Sequence, residues 1–331
     1  MKTYNVAVVG ATGLVGSTFL KVLAEYKFPI KTLTLFASER SAGKEVMYDG
    51  KPYIVKALKE GCFDGIEIAL FSAGGSVSEK WAPEAEKSGA VVIDNSSAWR
   101  MNKDCALIVP EINVNDFDTA RKIVANPNCS TIQSVLPLKP LNDKYGLKRV
   151  VYTTYQAVSG SGQKGRDDLA RTLKGEEPAF YPYNISKTCI PHIDVFTDNG
   201  YTKEEIKMVN ETRKILHLPN LPVSATCVRV PVANAHAVSV MVELEKEFTL
   251  EDVRKAFSEY PGIVVMDDVK NLIYPVSTVA NDNDAVYVGR IRKDLSCENG
   301  LLFYAVSDNI RKGAAANAVQ IAKKLIEENK I

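Results

Sequence analysis

The sequence predicts a two-domain protein, a parallel α/β domain followed by a mixed α+β domain. Three observations predict it. An apolar strand pattern at Tyr4–Val9 runs through a glycine-rich turn into helical spacing. Short branched apolar runs then alternate with helical segments through the first third of the chain. Beyond Val150 the strands lengthen and several alternate in polarity. The 331 residues suit two domains, at roughly 100–200 residues each.

Taken in order, the strand at Tyr4–Val9 leads into a helix over residues 14–26. Apolar runs at 33–36, 68–71 and 91–93 read as further strands, with helical spacing over 77–88 between the last two. Such alternation implies right-handed βαβ units and a parallel sheet. The run 123–125 enters a turn at Pro127, and an apolar helical pattern follows with Asn128 placed as its N-cap. In the second half, strands are expected at 150–155, 228–231, 237–244 and 285–291, and helices near 166–173, 203–216 and 250–260. Residues 310–328 form an amphipathic terminal helix rich in Ala, Lys and Ile, with Asn309 placed to cap it. No repeat, low-complexity tract or long linker interrupts the chain.

Lys and Arg total 41 against 40 for Asp and Glu, so no net field favours nucleic acid or an anionic membrane. No run approaches the roughly 20 apolar residues of a membrane helix. The start of the sequence lacks the pattern of a secretory signal, so a cytoplasmic location is expected. Six cysteines without a CxxC pair read as reduced thiols, and three histidines argue against a histidine-rich metal centre; no metal is expected.

The turn Gly10-Ala-Thr12-Gly13-Leu14-Val15-Gly16 lies between a strand and a helix, the setting of a phosphate-binding βα turn in a Rossmann-type dinucleotide-binding domain. Free N–H groups at the helix start would face the pyrophosphate. After the second strand, Ser38, Arg40 and Ser41 suit the 2′-phosphate of NADP, because arginine offers a forked donor set. Glu39 could instead hold ribose hydroxyls and permit NAD. The small residues Ser72 and Gly74 follow another strand, where a cofactor could lie against the sheet edge.

Cys129, at or near a helix N-terminus, stands where the helix dipole favours a thiolate, the nucleophile of thioester chemistry. The competing reading is a small buried hydrophobe, which also serves for the other five cysteines. His236 stands among small residues at the start of a strand pattern. Its imidazole can exchange protons near neutrality or serve a structural role. His192 and His217 are read as structural. Glu211 and Lys214, three apart, share a helix face and by spacing alone read as a surface ion pair.

Residues 10–16, 40–43, 71–76, 126–133 (Asn-Pro-Asn-Cys-Ser-Thr-Ile-Gln), 155–160, 288–294 and 307–315 together resemble, in order, the motifs of aspartate-semialdehyde dehydrogenases. The resemblance spans nearly the whole chain, and its Asn-Pro-Asn-Cys-Ser-Thr motif is specific. It implies NADPH-dependent reductive dephosphorylation of L-aspartyl-4-phosphate to L-aspartate 4-semialdehyde through an acyl-thioester on Cys129, in biosynthesis of lysine, threonine, methionine and isoleucine. It further implies that Asn128 aids stabilisation of the intermediate, Gln156 orients the substrate and His236 is the general acid/base. Arg229 would take the α-carboxylate, Glu211 the α-ammonium, and Arg100 with Lys214 the phosphate. Ser159, Gly160 and Asn309 would lie near the nicotinamide.

The expected division is 1–127 with 307–331 for NADP, and 128–306 for catalysis and dimerisation, with Cys129 at the domain junction; a homodimer or homotetramer is implied. Ala237-Val238 depart from the Ser-Glu that often follows the family's histidine. The rival readings are an N-acetyl-γ-glutamyl-phosphate reductase, whose motif usually reads Asn-Pro-Gly-Cys, and a non-catalytic NADP-binding paralogue.

Overall fold

The computed structural model describes residues 2–331 and divides them into two compact units, one of residues up to Pro127 with Ala314–Ile331, the other Asn128–Gly313. The first unit carries the strands β1 (Tyr4–Val9), β2 (Ile30–Ala37), β3 (Glu45–Tyr48), β4 (Lys51–Ile54), β5 (Lys56–Ala57), β6 (Ile68–Phe71), β7 (Val91–Asp94), β8 (Ala106–Leu107) and β9 (Ile123–Ala125). Its helices are α1 (Leu14–Glu25), α2 (Gly75–Lys87), the short α3 (Pro110–Asn113) and the terminal helix Ala316–Glu327.

Seven strands form one sheet in the order β5-β2-β1-β6-β7-β9-β8, and every pairing in it is parallel. Helices cover both faces, which is why β1 reads as an unbroken apolar run rather than alternating. Val6 and Val8 face one core with Phe19 and Leu23 of α1 and Val319 of the terminal helix. Ala7 and Val9 face the other, with Phe63 and with Ala82 and Ala85 of α2. The β3–β4 hairpin, absent from the expected elements, turns at Asp49-Gly50, where both residues adopt positive φ.

The second unit holds β10 (Leu147–Gln156), β11 (Val223–Arg229), β12 (His236–Leu244), β13 (Ile263–Val265), β14 (Val286–Lys293) and β15 (Gly300–Ser307). They form a mixed sheet in the order β11-β10-β12-β15-β14-β13. β10–β11 and β13–β14 run parallel, and the other pairs antiparallel. The longer helices are α4 (Cys129–Tyr145), α5 (Gln163–Leu173), α6 (Lys203–Ile215) and α7 (Leu250–Ser258). On β10 and β12, Tyr152, Thr154, Val238 and Val240 are buried, while Val151, Thr153, Ser239 and Met241 are half-buried and Tyr155 is exposed. One face is packed and the other is partly open.

Three expectations need correction. The strand expected at 228–231 is observed at Val223–Arg229, because its register is set by β10, from Val150↔Val223 to Gln156↔Arg229. The last strand, Gly300–Ser307, was not foreseen at all. The chain returns to the first unit at Ala314 rather than residue 307. Residues 308–313 stay with the second unit because Asp308, 2% exposed, binds them there. Its carboxylate accepts from the N–H groups of Ile310, Arg311 and Asp282 and from Asn234 Nδ2, at 2.8–3.0 Å. Arg311 in turn pairs with Asp284 at 2.8 Å.

Asp308→Ala strands the buried N–H groups of Ile310 and Arg311, removes the acceptor of two partly exposed donors, and is expected to destabilise the protein by about 2–4 kcal/mol. A urea unfolding midpoint equal to that of the parent would refute this role.

Candidate active site

The site grows from the start of α4. Asn128 is its N-cap, and Oδ1 accepts from the N–H groups of Ser130 at 2.9 Å and Thr131 at 3.2 Å. The same residue is held from behind. Its Nδ2 donates to Glu204 Oε1 at 2.8 Å, and its backbone N–H donates to Glu211 Oε2 at 2.7 Å. Cys129 is therefore the first helical residue, half-buried, on a 17-residue helix whose other first-turn donors are taken up by the cap. Gly313 packs against it: a Cβ there would stand 2.8 Å from the Cys129 Cβ, so no larger residue fits without displacing the cysteine.

Strand ends bring the next groups together. Gln156 closes β10 and Arg229 closes β11, and they are register partners. Gln156 is buried, its Nε2 donating to Thr154 Oγ1 and Glu204 Oε1, both at 3.3 Å. Arg229 donates from Nη1 to the carbonyl of Ala157 at 2.7 Å. His236, fully buried, opens β12, and its Nδ1 accepts from the N–H of the same Ala157 at 3.0 Å. One peptide residue thus orients both side chains. Accepting at Nδ1 leaves the proton of the neutral ring on Nε2, which has no hydrogen-bond partner among the described residues. A Cβ added to Gly160 would lie 2.7 Å from Arg229 Nη1 and 3.0 Å from His236 Nε2, so the guanidinium, the imidazole and the Gly160 backbone converge.

Burial, and then the charge of Arg229, hold the His236 pKa well below its usual value. The Ala157 N–H acts in the same direction, because a second proton would have to enter at Nδ1, against that donor. The turn before His236 is strained. Ala235 adopts φ 68°, and its N–H is fixed by Asn309 Oδ1 at 3.0 Å. Asn309 Nδ2 also donates to Ser159 Oγ at 3.0 Å. Asn309 does not cap the terminal helix. Residues Arg311–Ala315 form a π-helical turn ahead of it, and Asp308 does the local capping.

Glu211 is buried on α6, with Lys214 half-buried one turn on. Arg100 belongs to the other unit, 7% exposed, donating to the carbonyls of Asn126 at 2.9 Å and Asn95 at 3.0 Å.

In the first unit, a cavity of about 460 Å³ opens at the glycine turn, lined among others by Gly10, Thr12, Gly13, Ser38, Glu39 and Ser72. Gly10 has φ 89°, and a Cβ on it would collide with the Ser72 carbonyl. Leu14 and Val15 are the first residues of α1, whose N-cap Gly13 supplies no side-chain cap, and Gly74 likewise leaves the start of α2 open. Backbone N–H groups at a helix start suit a phosphate. Arg40 and Ser41 lie on the short turn Glu39–Ser41; Arg40 is exposed and has no acidic partner among the described residues. Lys80 and Trp81 also line this cavity and were missed from sequence, since nothing in their helical spacing marks them. The donor set fits a dinucleotide. No group of three or more metal-ligating side chains occurs among the described residues.

Two family models match the chain, "Semialdehyde dehydrogenase, NAD binding domain" over residues 5–120 and "Semialdehyde dehydrogenase, dimerisation domain" over 138–312. Aspartate-semialdehyde dehydrogenase of Aquifex aeolicus is 55% identical, with 99% of each chain covered, and that of Bacillus subtilis 48%, with 98% of each covered. Among solved structures, aspartate semialdehyde dehydrogenase II from Vibrio cholerae complexed with ASA superposes with a TM-score of 0.95 at 46% identity, covering 99% of each chain. The Candida albicans enzyme with NADP gives 0.80 at 25% identity, with 100% of each chain covered.

The protonation of His236 has a stability signature. Below about pH 6.5 the unfolded chain binds a proton on this ring that the folded protein refuses, so folded stability falls as pH drops. The loss levels off only below the depressed folded pKa. Thermal midpoints measured from pH 8 down to pH 5 should decline for the wild type and decline less for His236→Gln; parallel curves would mean the ring stays protonatable in the fold.

Proposed function

Because the chain belongs to the aspartate-semialdehyde dehydrogenase family, we propose that it reduces L-aspartyl-4-phosphate to L-aspartate 4-semialdehyde with NADPH, reversibly, through a thioester on Cys129. The observation that carries this reading is Cys129 at the first position of a capped helix, beside carboxylates and amides spent on holding that cap. The helix start favours the thiolate.

The thiolate attacks C4 of the acyl phosphate, the carbon–oxygen bond to phosphate breaks, and phosphate departs. The cavity lined by Gly10, Thr12, Gly13 and Ser72 would hold NADPH, which when bound would supply the hydride for the thioester carbon. Breaking the carbon–sulfur bond then returns the thiolate and frees the aldehyde. His236 donates from Nε2 to the carbonyl oxygen as negative charge gathers there, a role that suits a ring kept neutral. Arg229, anchored through Nη1 to the Ala157 carbonyl, takes the α-carboxylate. Glu211 takes the α-ammonium, Arg100 and Lys214 serve the phosphate, and Gln156 presents an acceptor to the substrate. Asn128 acts chiefly through the helix cap that its oxygen completes.

For the cofactor, Arg40 and Ser41 near the mouth of the glycine turn, with Lys80 in the cavity lining, supply charge for a 2′-phosphate. Glu39 in the same lining leaves NAD a second, weaker option. Ser159, Gly160 and Asn309 are assigned to the nicotinamide on the family resemblance. The half-buried face of the mixed sheet, with Thr153, Tyr155, Met241 and Tyr304, supports pairing with a second copy of the chain. No helix among the described residues is long and apolar enough to cross a membrane, and the reading places the enzyme in the cytoplasm.

Purified protein should reduce NADP in the presence of phosphate and L-aspartate 4-semialdehyde, and not with N-acetylglutamate semialdehyde. Cys129→Ala should abolish turnover while NADP binding persists. Turnover by that variant would sink the thioester, and activity with the acetylated substrate alone would move the chain to the glutamyl-phosphate reductases. Arg40→Ala should raise KM for NADP at least about tenfold, the loss of one charge-assisted contact of about 1.5–3 kcal/mol, and leave KM for NAD nearly unchanged.

A further inference from the structure

We propose that Glu204 is a positioning residue for the reaction, one carboxylate that fixes both side-chain amides flanking the nucleophile. The inference rests on the function proposed above and adds a residue to it. Glu204 Oε1 accepts from Asn128 Nδ2 at 2.8 Å and from Gln156 Nε2 at 3.3 Å. Its Oε2 faces Lys207 Nζ at 3.3 Å, and Lys207 is tied in turn to Asp194 at 2.7 Å. Glu204 itself is only 5% exposed, so the carboxylate has its charge balanced from one side and both amides on the other.

An amide side chain has two ends of nearly equal size, one a donor and one an acceptor. Which end faces the substrate decides what it can do. For Asn128 the answer is doubly fixed, because Oδ1 must point to the N–H groups of Ser130 and Thr131 to cap α4 while Nδ2 points to Glu204. For Gln156, Thr154 and Glu204 together claim Nε2. Oε1 is left with no hydrogen bond among the described residues, so Gln156 offers the substrate an acceptor, suited to an ammonium or another N–H donor. Without Glu204 the Gln156 amide can turn over, and the cap on Cys129 loses its rear support.

The neighbours on α6 are committed elsewhere. Glu205 closes the capping box with Thr202 and accepts from Cys227 N–H at 3.0 Å, and Glu211 accepts from Asn128 N–H. Neither can replace Glu204.

The test compares Glu204→Gln, which keeps an oxygen for the two amides, with Glu204→Met, which fills the space without one. Both are assayed with phosphate, NADP and L-aspartate 4-semialdehyde, alone and combined with Gln156→Ala. Cys129 reactivity is followed by the rate of inactivation with iodoacetamide. Glu204→Met should lower kcat at least about tenfold, equivalent to about 1.4 kcal/mol of barrier, with KM for NADP within about twofold. Alkylation should slow as well, and Glu204→Gln should restore most of both. In the Gln156→Ala background the loss from Glu204→Met should shrink, since one of the two amides it orients is gone. Full additivity, or wild-type kcat and alkylation in Glu204→Met, would overturn the proposal. Should that variant fail to fold, Lys207→Met decides: it loosens the same carboxylate from outside and should reduce kcat, whereas unchanged kcat would count against the role. Cys129→Ser run in parallel separates the two readings, because activity in that variant defeats the thioester and leaves the Glu204 result to stand or fall alone.

Discussion

The cap on α4 is the constraint from which the rest of the second unit follows. A helix beginning at a nucleophile cannot spend that nucleophile's surroundings on bulky capping groups, yet its first N–H groups need acceptors. Asn128 answers this with one short side chain, and the reach of that side chain then dictates what stands behind it. Two carboxylates from α6 hold its amide and its backbone. α6 is held in turn through Glu205 to β11 and through Thr212 to Tyr152 of β10. The placement of one sulfur atom thus draws in a helix and two strands, and Gly313 supplies the only residue small enough to close over it.

Opposite this helix start, main chain rather than side chain does the orienting. Ala157 donates to an imidazole and accepts from a guanidinium, so the two groups are set by the geometry of a single peptide segment. Backbone groups cannot rotate away or change protonation, which makes the arrangement stiff, while burial and the neighbouring Arg229 charge keep the imidazole neutral. The strained turn at Ala235 shows where that stiffness is stored, with Asn309 keeping it in place. The same logic recurs at Asp308, where one buried carboxylate collects four donors and draws the chain ahead of its last helix into the second unit.

Much of this was legible in the sequence. The unbroken apolar run of β1 followed by Gly10, Gly13 and Gly16 leaves few alternatives to a parallel sheet with an open helix start, and Asn128 before Cys129 reads directly as a cap. What stayed hidden has physical reasons. The strand Gly300–Ser307 is central and buried on both faces for much of its length, so it lacks the alternation that separates a strand from a short buried helix segment. Asn309 looks like a helix cap because helix caps are local, whereas its partners Ser159 and Ala235 lie 150 and 74 residues away. Glu204 is masked by Thr202 and Glu205, whose spacing already explains the acids at that helix start as a capping box. Lys80 and Trp81 sit on an ordinary helix and gain meaning only from the cavity they line.

The parallel pairing of Gln156 with Arg229, and the start of β12 at His236, tie chemistry to strand register. In a sheet, sliding one strand by a single residue turns every side chain on it to the opposite face. A slip of β11 against β10 would leave the secondary-structure content and the size of the molecule little changed, but it would turn Ala225 and Cys227 out of the core and carry the guanidinium away from Ala157. Recovered turnover after denaturation therefore reports something that circular dichroism and hydrodynamic size do not: the fraction of refolded molecules whose sheet has been zipped in the correct alignment.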